Sequence, residues 1–315
     1  MRWRCLVSAP YALRVASECE ALLRAHQIEP IFPPVIERLE EEELLKWAQD
    51  VDGVICGDDR FTANVLRQLP RLKVISKWGT GIDSIDRDEA KRLGVAVYNT
   101  PGAFTDPVAD SVMGYVLTFA RRIPWMDREI RAGRWQKHPA LSLRECTLGV
   151  IGVGDIGKAV ITRAIAFGMR ALGNDITEIP AAFVAATGLE VVTKDELLTS
   201  ADFVSLNCDL NATSYHLIGE RELGLMRRNA YLINTARGPV VDEPALVRVL
   251  QQGRLAGAAL DVFEQEPLPA GSALRSLENC LLAPHNANSS PLMARRVQEN
   301  TIRNLIKGLE AVGTR

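Results

Sequence analysis

Several classes of protein are excluded by what the sequence lacks. No apolar run approaches the roughly 20 residues that a membrane-spanning helix needs. Met1 to Pro10 carries two arginines but no apolar stretch of the kind a signal peptide requires. A cytoplasmic protein without a membrane partner is therefore expected. Neither sign of charge is in excess: 37 Lys and Arg stand against 39 Asp and Glu, a formal net charge of -2. No basic tract breaks this balance, which argues against a nucleic-acid partner. The six cysteines (Cys5, Cys19, Cys56, Cys146, Cys208, Cys280) contain no CxxC pair, so neither a zinc site nor a dense disulfide framework is expected. They read as reduced core thiols, and no metal site is expected. Internal repeats and low-complexity segments are lacking too.

What is there is a chain of 315 residues, 47% hydrophobic. At about 150 residues per domain that is room for two domains with full cores. Short apolar runs alternate with amphipathic ones from end to end, the pattern of βαβ units around a mostly parallel sheet. Strands are expected over 4–8, 53–56, 73–76 and 95–99, and then over 147–151, 170–173, 203–207, 230–234, 257–261 and 280–283. The second set, six strands, suits a doubly wound sheet. Asp106-Pro107 reads as an N-cap followed by proline at the first helical position. Val108, Val112, Tyr115, Val116 and Phe119 then share one face of a long helix, preceded by a hinge-like turn at Thr100-Pro101-Gly102. Residues 121–138 read as a solvated helix anchored by Trp125 and Trp135, or as an arm that packs on a second subunit. Glu40 to Glu43 reads as a solvated helix start.

The expected strand 147–151 runs directly into Gly152-Val153-Gly154-Asp155-Ile156-Gly157 and a helical segment from Lys158. This is GxGxxG between strand and helix, where each glycine has a use. Gly152 permits the tight turn, Gly154 lets the backbone approach a pyrophosphate, and Gly157 lets helix pack on strand. The helix N-terminus offers unpaired N–H groups to the phosphates. The next expected strand, 170–173, runs out at Asn174-Asp175, and Asp175 stands eighteen residues beyond Gly157. An acid there accepts the ribose hydroxyls of NAD and repels the 2′-phosphate of NADP, so NAD is the expected cofactor.

Three later strand ends each offer a reactive group: Arg237 in Asn234–Gly238, Glu266 in Asp261–Pro267, and His285 after Pro284. Ligands of open α/β sheets sit beyond the carboxyl ends of the strands, so these groups are expected to converge. A guanidinium fork grips a carboxylate, an imidazole exchanges a proton with a carbonyl oxygen, and a carboxylate beside the imidazole favours its charged form. Singly each residue reads as a loop or surface feature; together they suit hydride transfer to a 2-oxo acid. His26, His138 and His216 lack similar partners in the sequence and are assigned no chemistry.

With these residues in place the chain resembles the D-isomer-specific 2-hydroxyacid dehydrogenase family, which includes phosphoglycerate dehydrogenases and glyoxylate/hydroxypyruvate reductases. The resemblance runs through Leu72 to Asp86, Asn99 to Gly102, the Gly152–Gly157 loop, Asp175, Asn234 to Gly238, Asp261 to Pro267 and Pro284-His285. It implies a Rossmann NAD-binding domain, residues 100–287, inserted into a smaller flavodoxin-like α/β substrate-binding domain made of residues 1–99 and 288–315. It further implies that Arg237 clamps the substrate carboxylate, that His285 is the acid/base and that Glu266 is its partner. Cofactor contacts are implied at Gly152, Gly154, Asp155, Ile156, Gly157, Asp175, Cys208, Thr213, Thr235, Ala236 and Asp261, the last beside the nicotinamide carboxamide. Backbone N–H groups of Trp78 and Gly79 are implied to receive the substrate carboxylate.

The expected reaction is hydride transfer between NAD(H) and C2 of a small anionic 2-hydroxy or 2-oxo acid. Where this family's phosphoglycerate enzymes carry an arginine after the second substrate-domain strand, this chain has Cys56. A phosphate ester such as 3-phosphoglycerate would thus call on Arg60 or Lys77, and a glyoxylate/hydroxypyruvate reductase is the alternative. Asn207-Cys208-Asp209-Leu210 replaces the Pro-Leu-Thr run common after the third Rossmann strand. With the chain ending at Arg315, feedback control through a C-terminal regulatory domain is not expected. A non-enzymatic NAD(H)-sensing corepressor is the alternative from another class, and a homodimer through the NAD-binding domain is expected.

Overall fold

The computed structural model describes residues 2–313, which form two compact units, 2–104 with 290–313, and Thr105–Ser289. The first unit is a parallel sheet of β1 (Trp3–Val7), β2 (Ile28–Ile31), β3 (Gly53–Cys56), β4 (Val74–Lys77) and β5 (Ala96–Tyr98) in the order β2-β1-β3-β4-β5, the flavodoxin-like order. Period-2 side chains feed two cores. Leu6, Val54, Cys56 and Ile75 face one, and Cys5, Val7, Ile55 and Val74 the other. The C-terminal helix Pro291–Gly313 covers the second face with Val297, Ile302, Leu305 and Leu309. The helix packs closely on β3, where a Cβ at Gly53 would lie 2.6 Å from Leu305 Cδ1. Ser76 donates to the Thr301 carbonyl at 2.8 Å and Asn304 to the Asn99 carbonyl at 3.1 Å, so both chain ends build this unit.

The second unit is a seven-stranded parallel sheet: β6 (Thr147–Ile151), β7 (Arg170–Asn174), β8 (Glu190–Val191), β9 (Phe203–Leu206), β10 (Tyr231–Asn234), β11 (Gly257–Leu260) and β12 (Cys280–Leu282). The order β12-β11-β10-β9-β6-β7-β8 reverses direction between β6 and β9, as in a doubly wound Rossmann sheet. The crevice at that switch point lies beyond Ile151 and Leu206, which are register partners. Leu148, Val150, Phe203, Tyr231 and Ile233 pack under the helix Thr105–Arg121, while Ile151, Val204, Leu206, Leu232 and Leu260 pack on the opposite face.

Several local expectations are corrected. β2 was not expected because Pro30 interrupts its short run; it is an edge strand, where a missing N–H is tolerated. β8 is a seventh strand of two exposed residues, too short to show an apolar pattern. The long helix begins at Thr105, so Asp106 lies inside its first turn and bonds Arg163 at 2.9 Å instead of capping. Of the two rings expected to anchor residues 121–138, Trp125 stacks on Phe119 with centroids 5.8 Å apart, whereas Trp135 is 87% exposed. The helix there is Ile123–Arg131 and none of its residues is buried. The acidic run does open a helix, Glu41–Trp47, where the Glu43 carboxylate accepts the Glu40 N–H at 3.0 Å.

Candidate active site

The glycine loop follows β6 without a spare residue. Gly152 has φ +86, and a Cβ on it would lie 2.6 Å from the Cys208 nitrogen, in the loop after β9. A Cβ on Gly157 would lie 2.1 Å from the Gly152 carbonyl oxygen, so strand and helix meet only because both residues lack side chains. Gly154 differs: around its would-be Cβ nothing lies within 4 Å. That open space fronts the first turn of the helix Asp155–Ala166, whose N-cap Gly154 supplies no side-chain acceptor. Asp155 and Ile156 occupy that first turn. First-turn N–H groups beside this open space fit a pyrophosphate.

Asp175 stands one residue past β7. Its carboxylate accepts the Val153 N–H at 2.6 Å, the Thr177 N–H at 2.8 Å and the Thr177 hydroxyl at 2.9 Å. Partial burial opposes its charge, but the Thr177 and Val153 donors outweigh it and hold the carboxyl below its ordinary range. A fixed anion at the glycine loop fits a ribose diol. Cys208 lines the other side of the loop, its thiol pushed up to about 11 chiefly by burial. The Thr235 hydroxyl oxygen is buried with no hydrogen-bond partner among the described residues, a donor awaiting a ligand. Thr213 is exposed and bonds Asn211 through both its N–H and its hydroxyl.

β10, β11 and β12 are in-register neighbours, with Asn234 opposite Leu260 and Leu260 opposite Leu282, so their carboxyl ends open on one edge. Buried Asn234 folds the first turn: its amide donates to the Arg237 carbonyl at 2.9 Å, and its oxygen accepts the Ala236 N–H at 3.1 Å. Arg237 donates to the Ala236 carbonyl at 2.9 Å, which turns the guanidinium back toward this strand end. A Cβ on Gly238 would lie 1.9 Å from the Phe263 carbonyl carbon, so the turns after β10 and β11 touch backbone to backbone. Glu266 accepts the Phe263 N–H at 2.9 Å with one oxygen and bonds His285 Nδ1 at 3.0 Å with the other. The imidazole and carboxylate are both largely buried, at 18% and 14% side-chain exposure, so their interaction is only weakly screened.

Asp261 does more than was expected of it. Its carbonyl accepts the His285 N–H at 2.7 Å, and its buried carboxylate accepts the Asn286 and Ala287 N–H groups, each at 2.9 Å. His285 is thereby held at φ +48, a left-handed conformation that a non-glycine residue keeps only where its neighbours impose it.

In the first unit, the four residues expected to meet substrate lie on the loops after β3 and β4 or at the end of β4. The Trp78 N–H is taken by the Cys56 carbonyl at 2.9 Å and its ring belongs to the core, which corrects the expectation that this N–H receives a carboxylate. Gly79, at φ +131, donates its N–H to no group among the described residues. Lys77 is buried with its Nζ 2.7 Å from Asp58, and Arg60 lies 3.8 Å from Glu40. One histidine assigned no chemistry also needs correction: His216 bonds Glu264 through Nε2 at 2.9 Å. Two glutamates in Glu264-Gln265-Glu266 thus serve two histidines, a pairing with no signal in the sequence because His216 comes 48 residues earlier.

A Rossmann sheet with an open glycine cradle, a ribose-side acid and a His–Glu pair at adjacent strand ends defines a dinucleotide-dependent oxidoreductase. The family model of the D-isomer specific 2-hydroxyacid dehydrogenase NAD-binding domain matches residues 113–287. The chain belongs to this family, and it is an NAD-dependent dehydrogenase acting on a CH–OH donor. It is 42% identical to a glyoxylate reductase of Thermofilum pendens over 85% of this chain and 81% of that one. It is 39% identical to a D-3-phosphoglycerate dehydrogenase of Methanocaldococcus jannaschii over 80% of this chain but 48% of that one. Among solved structures it superposes on the D-lactate dehydrogenase of Aquifex aeolicus complexed with NAD and lactic acid, with a TM-score of 0.87 at 28% identity, covering 98% of this chain and 96% of that one.

Proposed function

We propose that the protein reduces a small unphosphorylated 2-oxo acid of the glyoxylate or hydroxypyruvate kind, with His285 as proton donor. The observation that carries this reading is the Glu266–His285 hydrogen bond of 3.0 Å on the sheet edge that also presents Arg237. Arg237 holds the substrate carboxylate by its fork. NADH, when bound, supplies the hydride that adds to C2. Glu266 keeps the Nδ1 proton in place, so Nε2 gives its proton to the carbonyl oxygen and a 2-hydroxy acid results; oxidation is the reverse. Gly152 to Gly157, Asp175, Cys208, Thr213, Thr235 and Ala236 line the cofactor side. Asp261 contributes by fixing the His285 backbone.

The preference for an unphosphorylated acid rests on charge. Lys77 and Arg60, the cations a phosphate ester would need, are paired with Asp58 and Glu40, and the name of the Thermofilum relative agrees. The unit at the two chain ends serves as the substrate lobe and the central unit as the cofactor lobe. Exposed Ile123, Ile130, Trp135 and Leu141 beside the helix Ile123–Arg131 support a homodimer through the cofactor lobe. Six free cysteines support a reducing, cytoplasmic setting, and the net charge of -2 a partner set without nucleic acid.

NADH oxidation should be measured with glyoxylate, hydroxypyruvate, phosphohydroxypyruvate and bulkier 2-oxo acids. Turnover is expected with the first two at a kcat/KM at least about 10-fold above phosphohydroxypyruvate, since a second anion would meet a carboxylate. A preference for phosphohydroxypyruvate would overturn the substrate class. Tight NADH binding without turnover of any acid would point to an NAD(H) sensor.

A further inference from the structure

The pairing of Glu264 with His216 lies outside the reacting groups, yet it is tied to the segments that present Arg237 and Glu266. Glu264 and Glu266 flank Gln265 on one loop, each bonded to a histidine, at 2.9 Å and 3.0 Å. Both histidines sit at φ +48. A left-handed backbone at a non-glycine residue costs about 1–3 kcal/mol and persists where the surroundings impose it. At His216 they do. Its N–H donates to the Pro239 carbonyl at 2.8 Å, two residues after Arg237, and the Ile218 N–H donates to the Val240 carbonyl at 3.1 Å. The Tyr215 ring stacks on the imidazole with centroids 4.1 Å apart.

Glu264 extends the tie to a third segment. The oxygen that meets His216 also accepts the Glu243 N–H at 3.1 Å, while the Glu264 N–H donates to the Glu243 carboxylate at 3.1 Å. Two part-buried carboxylates are therefore crossed over one another, and the His216 ring bonds one of them. With Gly238 pressed on the Phe263 backbone, the turn at 215–218, the segment 237–243 and the loop 263–266 form one block. Arg237 and Glu266 are both mounted on it.

We propose that His216, acting through Glu264, is a positioning residue that sets the geometry of the Glu266–His285 pair and the Arg237 turn. This rests on the reading of His285 as proton donor. Removing the imidazole frees Glu264 to swing from Glu243, and the loop carrying Glu266 loses its outer tie. A displacement on the order of 1 Å at the reacting groups can cost about 100-fold in rate, and a shift of part of that distance costs proportionately less. Glu266 keeps the Nδ1 side of the His285 ring fixed by one hydrogen bond of 3.0 Å, so loosening its loop lowers the rate of the proton step while leaving the glycine cradle untouched.

His216→Ala, His216→Gln and Glu264→Gln should be compared with His285→Ala in the full-length protein, with glyoxylate and NADH, well below each variant's Tm. His216→Ala is expected to lower kcat about 10-fold and to leave the NADH Kd within about twofold. His216→Gln, which keeps a donor toward Glu264, should recover most of the loss. Should the alanine variant not fold, Glu264→Gln should show the same drop in kcat with the NADH Kd kept. Wild-type kcat in the folded variants, with only Tm reduced, would overturn the proposal. If His285→Ala is inactive while the His216 variants are normal, this inference alone fails; if His285→Ala is active, the underlying reading of the site fails instead.

Discussion

Gly154 and Gly157 lie three residues apart in one loop, and a single methyl group should have opposite consequences at the two. At Gly157 the added Cβ meets the Gly152 carbonyl oxygen at 2.1 Å, and both atoms belong to backbone that cannot rotate away. Overpacking of this kind costs about 1–3 kcal/mol or more. At about 2–4 °C per kcal/mol for a unit of 150–250 residues, Gly157→Ala should lower Tm by roughly 6–12 °C at the upper end. At Gly154 the backbone is at φ -71 and the Cβ meets nothing within 4 Å. Alanine there restricts the unfolded chain and should leave stability unchanged or raise it by about 0.4–1 kcal/mol. The same methyl fills the cradle in front of the helix N-terminus. Loss of one charge-assisted backbone bond to a phosphate is worth about 1.5–3 kcal/mol, so the NADH Kd should rise about 10- to 150-fold. Thermal melts and NADH fluorescence titration on both variants measure the two effects. A Gly154→Ala protein that binds NADH as wild type does would refute the placement of the pyrophosphate, and a Gly157→Ala protein with unchanged Tm would refute the packing argument.

Two further outcomes follow from charge. Asp175→Ala removes the carboxylate at the glycine loop and should weaken NADH by about 10-fold while narrowing its advantage over NADPH; equal discrimination in the variant, measured by paired titrations, would count against the ribose role. Glu89 is held by Arg92 and then Arg67 down to about 2 from 4.5, so its folded pKa lies below the unfolded one, and its stabilisation is complete above the unfolded value and lost as pH falls through the folded one. Glu89→Gln should therefore lower Tm at pH 7, with the deficit closing between about 4.5 and about 2; a deficit independent of pH would show that packing is responsible.

Much of the fold was legible because buried parallel strands write themselves as apolar runs with fixed punctuation. Gly53–Cys56 and Thr147–Ile151 have the bounds expected from sequence. β2 and β8 escaped because an edge strand tolerates Pro30 and a two-residue strand has no period. Asp106 misled because a good capping residue is also a good partner for an arginine, and Arg163 lies 57 residues away. The site was legible as residue types at strand ends, since topology alone aligns the ends of β10, β11 and β12. Its supports were not. Asp261 reaching the 286–287 backbone, Asp58 taking Lys77, Cys56 taking the Trp78 N–H and Glu264 taking His216 are all long-range hydrogen bonds, and no local pattern encodes them.

Proton transfer by His285 is the step on which the proposed reaction depends. The most direct measurement is single-turnover oxidation of NADH by glyoxylate in wild type and His285→Ala, with NADH affinity determined in parallel. The loss expected for removing a positioned acid is about 100- to 10,000-fold in rate, with the NADH Kd little changed because the cradle at Gly152–Gly157 is intact. A His285→Ala protein that reduces glyoxylate at the wild-type rate would contradict the mechanism.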